Sequence, residues 1–170
     1  MMVLVIGPNG SGKSAAAEQL ACELRTRTRN PTGSLVYIAT LVPADDDGHQ
    51  RVINHRQQRT GLGFTTIESP LGTFECGEVA EVILLEDVSN LVANLAFSGS
   101  HLDPVTATLT QIERLKSSCC HLIAVTIGGL TPDLSYDEET RMYIDALNQV
   151  NSALRQGADQ VINTSTGDGT

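Results

Sequence analysis

Val3-Leu4-Val5-Ile6-Gly7-Pro8-Asn9-Gly10-Ser11-Gly12-Lys13-Ser14 is the stretch that decides the fold. Four apolar residues in a row suit a strand buried on both faces of a parallel sheet. Gly7, Gly12, Lys13 and Ser14 then meet the pattern G-x-x-x-x-G-K-[ST]. Its glycines let the backbone curl until several N–H groups point at phosphate oxygens. From Ser14 to Arg25 the apolar Ala15, Ala16, Ala17, Leu20, Ala21 and Leu24 predict a helix, whose positive end adds to an anion site. Strand, glycine loop and helix in that order predict a phosphate-binding loop at residues 7–14. Gly7, Pro8, Asn9, Gly10, Ser11 and Gly12 would form the cradle, with a solvent-facing Lys13 neutralising the outer phosphates. The Ser14 hydroxyl suits Mg²⁺, which prefers hard oxygen ligands.

Outward from the loop, apolar runs alternate with helical periodicity. Strands are predicted at Leu35–Ala39, Phe64–Ile67, Val82–Leu85, Leu122–Val125 and Gln160–Ile162. Helices are predicted at Arg51–Gln58, Val88–Phe97, Val105–Ser118 and Asp137–Gln156, with a turn at Asn30–Gly33 and a loop at Ser98–Pro104. The alternation predicts a three-layer α/β domain of P-loop NTPase type with a largely parallel sheet. One domain over 1–170 is expected from the length. Right-handed crossovers would gather the chain after strands 1, 2 and 4 at one edge, where such sheets bind ligands. Glu86 closes the strand Val82–Leu85 and is the expected second ligand to the metal. Its neighbour Asp87 faces the other way along the strand and is expected to cap the next helix.

Composition narrows the partners. The chain has 11 Lys and Arg against 20 Asp and Glu, a formal charge of -9, so a broad basic face for nucleic acid is not expected. No run approaches the roughly 20 apolar residues of a membrane span. Met1–Ile6 is too short and uncharged for a signal peptide, and a cytoplasmic protein is expected. Cys22, Cys76, Cys119 and Cys120 show no C-x-x-C spacing. Buried reduced thiols are the expectation for them.

His55 stands in a polar stretch, Arg51-Val52-Ile53-Asn54-His55-Arg56-Gln57-Gln58-Arg59. Neutral imidazole is a good nucleophile toward phosphorus, and flanking arginines stabilise a transferring phosphoryl centre. An exposed helix residue with no chemistry has the same local sequence, and on these grounds alone it is the better reading of His55.

Several segments together resemble the adenosylcobinamide kinase / adenosylcobinamide-phosphate guanylyltransferase family of cobalamin biosynthesis. After the loop comes Tyr37-Ile38-Ala39-Thr40 for the family's Y-I-A-T, then Asp45-Asp46-Asp47. Arg51, Val52, His55 and Arg59 meet R-[IV]-x-x-H-x-x-x-R. Phe64, Thr66 and Glu68 stand for W-x-T-x-E, Leu84-Leu85-Glu86 with Asn94-Leu95 for L-L-E…N-L, and Asp145, Asn151, Ala158 and Asp159 for the late D…N…A-D. The resemblance implies a P-loop fold, usually a homotrimer, that phosphorylates the hydroxyl of a corrinoid, adenosylcobinamide, and then transfers GMP to that phosphate. It implies GTP, ATP and Mg²⁺ as cofactors and His55 as the guanylylated residue. Lys13 and Glu86 would join it in catalysis, with Ser14 and Glu86 at the metal. The implied nucleotide contacts are the loop, Ala39, Thr40, Leu41, Arg56, Gln57, Gln58, Arg59, Glu68 and Glu86. Where the family has N-E-V-G this chain has Ile127-Gly128-Gly129-Leu130, and its last strand ends in the polar Asn163-Thr164-Ser165-Thr166-Gly167. Two other functions fit the residues: a P-loop phosphotransferase acting on another small alcohol, and a non-catalytic nucleotide-binding paralogue.

Overall fold

The computed structural model describes residues 1–28, 30, 32–43, 50, 53, 57, 59–75, 78–99 and 102–165. Among them six strands form one parallel sheet in the order β3-β2-β4-β5-β1-β6. The strands are β1 Met2–Gly7, β2 Leu35–Ala39, β3 Thr65–Glu68, β4 Ala80–Glu86, β5 Cys119–Ile127 and β6 Gln160–Asn163. The helices described are α1 Lys13–Arg27, α2 Val88–Ala96, α3 Pro104–Ser117 and α4 Glu138–Gly157. Gly33 N–H donates to the Asn30 carbonyl at 2.9 Å, closing the expected turn.

Alternate residues of each central strand feed two cores. Leu4, Ile6, Ile83, Leu85 and Ala124 face α2, α3 and α4, where they meet Leu91, Ile112, Leu115 and Leu147. Val3, Val5, Val82, Leu84 and Val125 face α1, where small Ala17 and Ala21 admit the helix closely. The P-loop NTPase-type three-layer α/β architecture predicted from the alternation is therefore the one found. The helix expected over Arg51–Gln58 falls mostly outside the described residues, of which Ile53 and Gln57 are helical. For three of the cysteines burial needs correction: Cys120 is exposed, and Cys22 and Cys119 are only half-buried, while Cys76 lies outside the described residues. Among the described residues no helix is long and apolar enough to cross a membrane.

Three of the helices begin on an aspartate. Asp87, Asp103 and Asp137 accept from the backbone N–H of Asn90, Thr106 and Thr140 at 2.7, 2.8 and 2.7 Å. The N-cap of α1 is Gly12, in the left-handed region at φ 78°, with no side-chain cap and no acid in the first turn. Its leading N–H groups and the positive end of its dipole are left for something else.

Candidate active site

Because all six strands run the same way, their carboxyl ends share one edge. Gly7, Ala39, Glu86 and Ile127 end β1, β2, β4 and β5 there. A cleft of about 960 Å³ opens above them. Asn9, Gly10, Gly12, Lys13 and Ser14 form one wall and Glu86 and Asp87 part of the floor. Ala39, Leu41, Arg59 and Glu68 line the side toward β3.

β5 lies between β1 and β4, yet the loop and the acid meet. Ser14 Oγ donates to Glu86 Oε1 at 2.6 Å across 72 residues of sequence. The other oxygen, Oε2, is buried and has no hydrogen-bond partner among the described residues. Burial, helped by the neighbouring Asp87 and opposed by the Ser14 hydroxyl and Lys13, pushes the Glu86 carboxyl up to about 8. A hydroxyl and an undersatisfied carboxylate side by side are the hard-oxygen donors that a divalent cation such as Mg²⁺ takes, so these residues fit the metal. Asp87 is raised by burial too, against the Ser89 hydroxyl and the Asn90 backbone N–H that bind its Oδ1. Its capping role is as expected.

Lys13 differs from expectation. It is 7% exposed rather than solvent-facing, and Nζ donates to the Pro8 carbonyl at 3.0 Å. The reason is local: in the curled loop the lysine stem folds back over its own turn, whose carbonyl supplies a partner for the ammonium. Gly7 lies under the loop, Pro8 is exposed, and Ser11 Oγ shares a 2.6 Å hydrogen bond with Thr164 Oγ1.

Thr40 sits beneath the cleft rather than in its wall, with no exposure. Its Oγ1 lies 3.0 and 2.8 Å from the Glu86 and Asp87 carbonyls and accepts from Asp87 N–H at 2.8 Å. Asn94 Nδ2 in turn donates to the Thr40 and Pro70 carbonyls at 2.8 and 2.9 Å. The threonine of the Tyr37–Thr40 segment thus fastens the end of β2 to the backbone carrying the acid. Arg59 is 6% exposed, its guanidinium carbon 3.7 Å above the centroid of the Tyr37 ring, a cation–π stack. Gln57 is an exposed helical residue, and His55, Arg56 and Gln58 lie outside the described residues.

Sequence reasoning missed Tyr143 and Ile127, which also line the cleft. Burial and the charge of Asp87 raise the Tyr143 phenol. Tyr143 carries no local signal, since it is one of many residues on a long amphipathic helix. Ile127 has only its place at the start of the segment that differs from N-E-V-G to mark it.

A family model described as cobinamide kinase / cobinamide phosphate guanyltransferase matches residues 3–169. No curated protein matches. Among solved structures, the flagellar accessory protein FlaH from Methanocaldococcus jannaschii superposes with a TM-score of 0.52 at 15% identity. The match covers 95% of this chain and 70% of that one, a likeness of fold.

Proposed function

We propose, from the premise that this chain belongs to the cobinamide kinase / cobinamide phosphate guanyltransferase family, that it phosphorylates the hydroxyl of adenosylcobinamide and then guanylylates the new phosphate. The observation that carries the proposal is the Ser14–Glu86 pair, with its orphaned Oε2, beside the uncapped start of α1. Triphosphate oxygens would take backbone N–H groups of the loop and of the uncapped start of α1, and Lys13 would exchange the Pro8 carbonyl for phosphate. Ser14 and Glu86 would hold Mg²⁺, which when bound supplies positive charge against the phosphates.

In the second step a His55 imidazole nitrogen attacks the α-phosphorus of GTP. A P–N bond forms, the bond to the bridging oxygen breaks, and pyrophosphate leaves with that electron pair. An oxygen of the corrinoid phosphate then attacks the same phosphorus, the P–N bond breaks, and His55 is restored. Arg56 and Arg59 would stabilise charge on the transferring group. ATP or GTP would serve the kinase step, and family resemblance supports a homotrimer in the cytoplasm.

A kinase without the histidine step is a second reading, favoured by Ile127, which lines the cleft where the family's N-E-V-G segment begins. Incubation with GTP labelled at the α-phosphate separates the two. Wild type and the His49→Ala and His121→Ala variants should carry an acid-labile, base-stable label that His55→Ala lacks. An unlabelled wild type that binds GTP would favour the second reading, and label persisting in His55→Ala would mean another nucleophile.

A further inference from the structure

We infer that Thr164 is a positioning residue that sets the shape of the phosphate-binding loop through Ser11; the inference rests on the nucleotide-binding reading of that loop. β6 lies at the sheet edge beside β1, and Thr164 N–H extends the pairing by donating to the Ile6 carbonyl at 2.9 Å. This brings the threonine side chain under the loop, where Oγ1 and Ser11 Oγ lie 2.6 Å apart. A Cβ on Gly7 would come 2.0 Å from Thr164 Oγ1 and 2.7 Å from Ser11 Oγ, so glycine is required there for the two hydroxyls to meet.

The ends of the loop are held, by Gly128 N–H on the Gly7 carbonyl, Lys13 Nζ on the Pro8 carbonyl and Ser14 Oγ on Glu86, but among the described residues its middle has less. Ser11 N–H reaches the Pro8 carbonyl only at 3.3 Å. Gly10 and Gly12 both have positive φ, and a Cβ on either would find no atom within 4 Å. Glycines cost the most conformational entropy to order. A tether at the middle of the curl therefore determines how often its N–H groups converge. Threonine is well shaped for such a tether, because its branched Cβ limits χ1 and keeps the hydroxyl aimed at Ser11. The polar end of β6 thereby gains a purpose that a merely solvent-facing strand end would not have.

Thr164→Val keeps the branched shape and removes the hydroxyl. Calorimetry with Mg²⁺ and GTP should show affinity weakened roughly three- to tenfold, the worth of one hydrogen bond, with Thr164→Ser restoring it. In the nucleotide-free protein, amide exchange at residues 9–12 should quicken by a similar factor in Thr164→Val and Ser11→Ala, and no further in the double variant. Wild-type exchange and affinity in Thr164→Val would overturn the inference, as would additive effects in the double variant. Wild type that binds no triphosphate would refute the functional reading instead, and the exchange comparison would still decide the tether.

Discussion

Glu86→Gln should make the ligand-free protein less sensitive to pH while stopping its chemistry. The Glu86 carboxyl is raised from 4.5 to about 8. Its favourable contribution to folding is therefore complete below about pH 4.5 and is lost as pH climbs through 8. At 1.36 kcal/mol per tenfold change in acidity, ionising it should cost the native state roughly 3 kcal/mol between about pH 5 and 8. For a chain of this length that is a fall of about 6–12 °C in melting temperature. The variant keeps an oxygen to accept from Ser14 Oγ, but its amide nitrogen takes the place where Oε2 now has no partner. That orphaned donor costs about 1–3 kcal/mol at every pH. The slope is therefore the measurement, not the absolute stability. Melting temperatures of both proteins, without nucleotide or Mg²⁺, should diverge in the variant's favour from about pH 5 to 8, while transfer from triphosphate falls sharply. Parallel curves would refute the claim that this carboxylate is held at a cost, and normal turnover would remove it from the metal.

Lys13→Met retains bulk in a buried position and removes the ammonium, so triphosphate affinity should fall roughly 10- to 100-fold with the fold retained; unchanged affinity by calorimetry would count against the loop assignment. Thr40→Val leaves the Asp87 N–H without its partner, and urea denaturation should show a loss of about 2–3 kcal/mol. A loss below about 1 kcal/mol would mean that Thr40 does not fasten β2 to β4. Asp137→Ala removes the α4 cap and should cost about 1 kcal/mol with nucleotide affinity unchanged; a changed affinity would mean that fraying the first turn of α4 reaches Tyr143 in the cleft.

The sequence disclosed what local chemistry determines. Val3–Ile6 and the glycines after it specify strand and loop, and Asp87 at the end of an apolar run is a cap by residue type. The placement of Glu86 near Ser14 followed from one topological rule about parallel sheets. What the sequence hid depends on partners far along the chain. That β5 separates β1 from β4 is set by which buried faces fit together, and no residue announces it. Thr40, expected at the nucleotide, is occupied by carbonyls more than 45 residues away. Arg59 gives no local hint that Tyr37 lies under it, since cation–π stacking leaves no periodicity. Lys13 was expected in solvent because lysine usually is, but the turn that makes the loop also offers it a carbonyl.

The interposed β5 has a consequence for descent. Loop and acid are two strand steps apart, about 9–10 Å along the sheet, and that span is gauged by a stack of aliphatic side chains from β1, β5 and β4 that tolerates little change in volume. By contrast, Leu41, Arg59 and Glu68, toward the β3 margin, come from the stretch linking β2 to β4. Substitutions in that stretch can alter what the cleft admits without disturbing the gauge. A lineage built on this frame would keep its grip on the triphosphate more readily than its acceptor or the transfer step proposed for His55 and Arg59, as a lathe keeps its bed while the chuck is changed.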